Sequence, residues 1–240
     1  MITLLDELAL CGDWANALAP EKARLARIDD YLLKKEQENE VYPPRGQRLA
    51  ALRATRLSEV KMVITAQDPY PGKEHGIPLA MGLALSVSPS VTIPKSLKNM
   101  YAELAQSQGM SSPTHGDLSS WAKQGVLLLN VLLSLDAGQP KSHRDSEWAS
   151  FTQAVLALVN QQVTPVVFLA LGRDSQKLSQ PFENTHHHVI KTSHPSPLGY
   201  KKTSKHGHFV AFYGSGCFQQ VNHKLKAVGR TPIRWESVLE

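Results

Sequence analysis

The side chains best suited to chemistry in this chain sit in four short polar segments, each at the end of an apolar run. Gln67-Asp68-Pro69-Tyr70 follows Val60 to Thr65, Asn130 ends Val126 to Leu129, Gly172-Arg173 follows Pro165 to Leu171, and His194-Pro195-Ser196-Pro197 follows His188 to Thr192. A carboxylate placed like Asp68 is either an Asx turn or helix N-cap, or a base aimed into a cleft. Asn130 is harder to explain as structure, because an amide closing a buried strand must satisfy both its donor and its acceptor. Pairing with another amide, such as a nucleobase edge, meets that need. The rigid His-Pro-Ser-Pro backbone restricts His194 before any ligand arrives. Ser96 and Ser196, beside Pro94, Pro195 and Pro197, offer hydroxyls and backbone N–H groups to phosphate, although serine next to proline is also plain turn chemistry.

The elements that must hold these residues read as β-α units. The four apolar runs are too short for buried helices and rich in Val, Ile or Leu, as strands buried on both faces are. Helical patterns lie between them: Leu97, Tyr101 and Leu104 after Ser96, then Trp148, Phe151, Val155 and Leu158 after Ser146, with each serine a candidate N-cap. An amphipathic helix is expected from Pro20 to Glu40, carrying Leu25, Ile28 and Leu32 and stopped by Pro43-Pro44, with a second short helix around Gln47 to Ala54. The expected fold is α/β, a central four-stranded parallel sheet flanked by helices. Ligands of such sheets bind at the carboxyl ends of the strands, so the four polar segments converge on one site by topology alone.

Composition narrows the function classes. The chain has 240 residues, 42% hydrophobic and 20% charged, which excludes disordered, collagen-like and coiled-coil classes. With no repeat and no linker-like stretch, one domain is expected, residues 1–55 forming a helical cap of the same domain. Lys and Arg number 26 against 21 Asp and Glu, a formal +5 that permits a nucleic-acid partner without proving one. Lys201, Lys202 and Lys205, with His206 and His208, form a basic stretch directly after the His194 segment, placed where phosphate binding would need it. Cys11 and Cys217 are the only cysteines, read as buried or inert thiols in a reducing compartment. His186, His187 and His188 resemble a metal tract, but strand alternation sends neighbours to opposite faces, so no metal site is expected. No run reaches the ~18 apolar residues of a membrane span, and the acidic N-terminal segment fits no signal or transit peptide. A cytoplasmic protein with no membrane partner is the expectation.

With these residues in place, the sequence resembles the family 1 uracil-DNA glycosylases, from Val41-Tyr42-Pro43-Pro44 to Trp235. Gln67-Asp68-Pro69-Tyr70 is similar to the family's water-activating loop and Thr92-Ile93-Pro94-Lys95-Ser96 to its proline-rich loop. Gly125 to Asn130 is similar to its uracil-recognition strand, and His194-Pro195-Ser196-Pro197-Leu198 to its DNA-intercalation loop. The resemblance implies hydrolysis of the bond joining uracil to deoxyribose on a nucleotide flipped out of the DNA, leaving an abasic site and needing no cofactor. It implies that Asp68 stabilises the oxocarbenium-like sugar and positions water. His194 and the Gln67 backbone N–H would bind the developing charge on uracil O2. Asn130 would read uracil N3 and O4, and Tyr70 would exclude the thymine methyl. Ser96 and Ser196 would grip phosphates while Leu198 enters the vacated stack. Arg173, Lys201 and Lys202 would add DNA contacts. The implied partners are single- and double-stranded DNA containing uracil and a uracil-DNA glycosylase inhibitor protein, with the enzyme monomeric.

The sequence departs from the family pattern at several positions. Leu85 in Leu85-Ser86-Val87 stands where the family has a stacking phenylalanine, an exchange that removes roughly 1–3 kcal/mol of stacking. The segment from Tyr70 to Leu85 is longer than usual. Pro71 replaces a histidine, Ala66 a glycine and Arg173 a serine, and Gly199 follows Leu198. Two alternatives follow from these departures: a glycosylase that prefers a modified pyrimidine, or a weakly catalytic DNA-binding scaffold.

Overall fold

The structure is a computed structural model that describes residues 1–204 and 209–240. The chain opens with helices α1 (Leu4–Ala9), α2 (Trp14–Ala17) and α3 (Lys22–Glu38), followed by strand β1 (Val41–Tyr42) and helix α4 (Ala50–Ala54). Strand β2 (Met62–Ala66) leads into the small hairpin of β3 (Lys73–Glu74) and β4 (Ile77–Pro78), then helices α5 (Lys95–Gln108) and α6 (Ser119–Ala122). Strands β5 (Val126–Asn130) and β6 (Leu135–Asp136) come next, then helix α7 (Trp148–Asn160), strand β7 (Val167–Leu171) and helix α8 (Gly172–Glu183). Strand β8 (His188–Thr192) and helix α9 (Cys217–Ala227) complete the order.

The central sheet has the order β5-β2-β7-β8, all parallel. Ile64 of β2 aligns with Leu128 of β5 on one side and Leu169 of β7 on the other, all fully buried. Unbroken apolar runs form these strands because helices cover both faces and leave no wet side. The chain runs from β2 outward to β5 and later returns to the opposite edge of β2 as β7. The order therefore reverses between β2 and β7, the switch point at which doubly wound sheets leave a crevice. Gln67 and Gly172 stand at the two lips of that crevice.

The elements begin and end slightly away from the sequence boundaries, for local reasons. Val60 is held in a turn by its N–H to Leu57 O, so β2 starts at Met62. Pro165 has no N–H for a ladder, and β7 starts at Val167. Ser96 is not an N-cap: α5 begins at Lys95 with extended Pro94 as its cap, so Ser96 lies inside the first turn. Ser146 sits one residue outside the cap of α7, which is Glu147, although its Oγ still accepts the Trp148 N–H at 3.3 Å. The short helix expected around Gln47 to Ala54 starts only at Ala50, after hydrogen-bonded turns through Gln47 and Leu49. Leu25, Ile28 and Leu32 are buried along α3, as the amphipathic pattern requires. Both cysteines are buried free thiols, pushed up to about 12 by loss of solvation. No helix among the described residues is long and apolar enough to cross a membrane.

Candidate active site

β2 delivers Asp68 two residues beyond its end. The carboxylate Oδ2 accepts the backbone N–H of Lys141 at 2.6 Å, from 73 residues away, rather than a backbone N–H of its own loop as an Asx turn or cap would. Its Oδ1 is buried with no hydrogen-bond partner among the described residues. Burial raises the Asp68 pKa above the ordinary carboxylate value, while the Lys141 amide and ammonium and the Gln67 side chain pull against that rise. An orphaned carboxylate oxygen inside a protein is costly unless a ligand engages it.

Asn130 has the same property. It closes β5 opposite Ala66 of β2, is almost fully buried, and its Oδ1 has no partner among the described residues. Asp68, Tyr70, Leu85 and Asn130 together line one narrow pocket, with Pro69, Ala80, Gly82 and Leu83 as the remaining walls. The Tyr70 hydroxyl lies 3.4 Å from the carbonyl of Leu85, its pKa raised by burial. Leu85 is buried with φ +66°, a left-handed conformation uncommon for a branched residue and often stored at functional sites. The surrounding loop enforces it: Ala84 N–H donates to Leu128 O of β5, and buried Ser86 Oγ accepts the Leu118 N–H. Gly82 packs so closely that a Cβ would lie 1.9 Å from Gln47 O.

His194 belongs to the adjoining open cleft, about 230 Å³, which it lines with Gln67, Gly172, Arg173 and Ser175 at the switch point. His194 Nδ1 accepts the Ser196 N–H at 3.0 Å, so in the neutral ring Nε2 carries the proton and is free to donate. Desolvation lowers its pKa, with Asp174 opposing, which favours that neutral form. Gly172 lets the ring sit there, since a Cβ at its φ of +80° would come 2.8 Å from His194 Cβ. Gly199, unusual in the sequence comparison, has a similar reason: a Cβ would meet His194 O at 2.7 Å.

The expected DNA-contacting residues lie around these two spaces. Asn99 Nδ2 donates to Pro195 O at 2.7 Å and ties the helix carrying Ser96 to the loop carrying Ser196. Leu198 is 82% exposed at the tip of that loop. Arg173 and Lys202 are exposed, and Lys201 Nζ stands over the rings of Tyr200 and Tyr213 at 5.4 and 5.5 Å. Lys205, His206 and His208 lie outside the described residues. The histidine tract serves the backbone instead: His187 accepts the Val166 N–H and bonds Asn160 O, and His186 bonds Gln162 O. Among the described residues no group of three His, Cys, Asp or Glu could hold a metal ion.

Sequence reasoning missed two contributors. The Lys141 amide is invisible to residue-type arguments, because any residue but proline supplies an N–H. Glu74, in the longer segment after Tyr70, accepts both the N–H and the hydroxyl of Thr92 at 2.8 Å and braces the proline-rich loop.

Known proteins resemble this chain over most of its length. Residues 54–226 match the family model described as the uracil DNA glycosylase superfamily. The chain is 40% identical to the uracil-DNA glycosylase of Enterococcus faecalis, covering 94% of this chain and 95% of that protein. It is 43% identical to the Klebsiella pneumoniae uracil-DNA glycosylase, with the same coverage. The crystal structure of mimivirus uracil-DNA glycosylase superposes with a TM-score of 0.87 at 28% identity, covering 95% of this chain and 88% of that one. A variant of the mimivirus enzyme in complex with UGI gives 0.88 at 25% identity, covering 98% and 95%. Sequence likeness across most of the chain, and a matching fold beneath it, place this protein in the uracil DNA glycosylase superfamily.

Proposed function

We infer that the protein is a DNA-repair hydrolase that cleaves the N-glycosidic bond of uracil in DNA, releasing the base and leaving an abasic site. The observation that carries the site assignment is the pair of buried, unpartnered oxygens, Asp68 Oδ1 and Asn130 Oδ1, lining one small cavity. Uracil carries an N3–H donor beside its O4 acceptor, the complement of a primary amide. Asn130 Oδ1 accepts from N3 and the amide N–H donates to O4. Cytosine presents the reverse pattern, and a site built around such pairing rejects the wrong partner strongly. Tyr70 stands against C5, where the thymine methyl would fall.

As the C1′–N1 bond breaks, positive charge grows on the sugar and negative charge on uracil O2. The C1′–N1 electron pair leaves on uracil as its anion; anionic Asp68 stabilises the sugar cation, orients the water whose oxygen bonds to C1′, and accepts that water's proton as the hydroxyl forms. Neutral His194, through Nε2–H, and the Gln67 N–H hold O2 without transferring a proton to it. The nucleotide must leave the stack to reach this cavity, at a cost of a few kcal/mol that Leu198 offsets by filling the gap. Ser96, Ser196, Arg173, Lys201 and Lys202 hold the backbone of single- or double-stranded DNA. Mimivirus relatives bind UGI, which supports an inhibitor protein as a second partner of this chain. Single-turnover cleavage of otherwise identical oligonucleotides tests the reading: uracil sites are cut, cytosine and thymine sites are not.

A further inference from the structure

A second polar cluster lies wholly inside the protein, below the loop that supplies the Lys141 amide. Ser134 Oγ stands 2.8 Å from His143 Nδ1, and His143 Nε2 is 3.1 Å from Asp136 Oδ1. All three residues are buried, and the Trp148 indole N–H donates to Ser134 Oγ at 2.7 Å. The types are those of a hydrolytic triad, but burial leaves no approach for a substrate. Donor counting gives the cluster one direction: Trp148 N–H to Ser134 Oγ, Ser134 O–H to His143 Nδ1, His143 Nε2–H to the Asp136 carboxylate. Each hydrogen-bonding atom of that chain is satisfied with His143 neutral. Lys35 Nζ of α3 lies 3.8 Å from the other Asp136 oxygen, and Tyr31 of α3 packs edge-on against the imidazole.

This cluster closes the loop between Asp136 and His143. The Asp136 N–H donates to Ser142 Oγ at 2.8 Å, so strand residue and loop end are joined twice. Inside the closed loop, Gly138 N–H donates to Pro71 O, next to the Asp68 segment. Lys141 takes φ +63°, a left-handed conformation that an exposed lysine adopts only when its surroundings require it. That conformation aims its N–H at Asp68 Oδ2.

We propose that His143 and Asp136 are a positioning pair for the reaction: their buried hydrogen bond closes the loop and holds the left-handed Lys141 amide on Asp68. The inference rests on the reading of Asp68 as the catalytic carboxylate. A hydrogen bond to the charged form of a carboxylate favours that form, so losing the Lys141 N–H raises the Asp68 pKa further. The groups facing Asp68 are the Lys141 ammonium from this loop and the Tyr70 hydroxyl in the same cavity; His194 lines the neighbouring cleft with Gln67. Those acting on His143 are Asp136 of β6, Lys35 and Tyr31 of α3, and Arg48 before α4. Desolvation dominates and keeps the ring neutral.

The test is the single-turnover rate of uracil release against pH for His143→Leu, His143→Gln, Lys141→Pro, Lys141→Gly and the control Asp68→Asn. His143→Leu is expected to lose about tenfold in rate, the scale of one hydrogen bond to a charged group, with its acid limb displaced to higher pH and DNA affinity retained. His143→Gln, whose amide N–H reaches Asp136, recovers most of that rate. Should His143→Leu fail to fold, the exposed Lys141 carries the test. Lys141→Pro both deletes the N–H and, with its ring-fixed negative φ, abolishes the left-handed turn, so it takes the amide off Asp68 and displaces the limb; Lys141→Gly, which keeps the N–H and tolerates the turn, is faster by about tenfold. An inactive Asp68→Asn beside a Lys141→Pro enzyme with an unmoved acid limb overturns this inference alone, as does His143→Gln no faster than His143→Leu. A fully active Asp68→Asn overturns the site reading beneath it.

Discussion

In the proposed reaction two residues set the pH behaviour. Asp68 must be ionised and has a pKa raised above 3.8 by burial; His194 must be neutral and has a pKa lowered below 6.5 by desolvation. Both required forms therefore prevail at neutral pH and are lost on acidification. The single-turnover rate should be level from pH 7 upward and fall through the interval between those two ordinary values. A rate that climbs as pH falls from 7 toward 5 would show that the imidazolium, not the neutral ring, serves uracil O2. His194 has the same sign for stability: its neutral form is favoured by the fold, so its contribution is present above the ordinary histidine value and declines below it. Leu85 is the residue whose type disagrees most with the family pattern, yet it lines the same cavity as Asp68 and Asn130. Leu85→Phe should tighten uracil-site binding by roughly tenfold, within the 1–3 kcal/mol of one base-aromatic stack. Affinity for a uracil-containing oligonucleotide checks this, and an unchanged or weaker complex would show that the left-handed backbone, not the side chain, defines that wall.

Element packing explains why the parts with long periodic signals were legible and the small ones were not. The four strands were readable because β2, β5 and β7 are buried on both faces and so must be apolar throughout, and because a turn residue follows each. Asp68, Asn130 and His194 could be nominated as candidates because each stands at a carboxyl end, but only for Asn130 was a structural reason for its type weak; turn chemistry was an equally good account of Asp68. The two-residue strands β1, β3, β4 and β6 carry no period at all. The left-handed turns at Leu85 and Lys141 occur at residues that composition would never nominate, because tertiary contacts impose them. The meeting of α8 with the His194 loop gives an element-level prediction. Gly172→Ala forces φ +80° on a residue with a Cβ and drives that atom to 2.8 Å from His194 Cβ. Loss of about 1–3 kcal/mol of stability is expected, with a larger fractional loss in cleavage rate than in DNA affinity. Thermal unfolding and single-turnover kinetics measure the two; unaltered rate with lowered stability would separate Gly172 from the placement of His194.

At the scale of the whole molecule, the formal +5 is a poor guide to DNA binding, and the location of the charge is a better one. Three acidic side chains are held in ion pairs with arginines of the N-terminal part of the chain: Glu36 and Asp29 with Arg45, Glu36 with Arg48, and Glu147 with Arg24 and Arg27. Arg173, Lys201 and Lys202 stay exposed near the cleft and the Leu198 loop. Lys201→Ala and Lys202→Ala should each weaken binding about equally for all sequences and reduce the magnitude of the log-affinity against log-salt slope by about 1. Unchanged slopes would place the phosphate path elsewhere. If the Asp68–Asn130 pocket excises uracil, as proposed, Asp68→Asn is the decisive variant. Single-turnover release of base is measured for wild type and variant on oligonucleotides carrying uracil, thymine or cytosine, alongside binding of the uracil oligonucleotide. Cleavage is expected at uracil alone, lost by about a hundredfold or more in Asp68→Asn while binding is kept. Full activity in Asp68→Asn, or equal cleavage at thymine by wild type, would contradict the proposed excision.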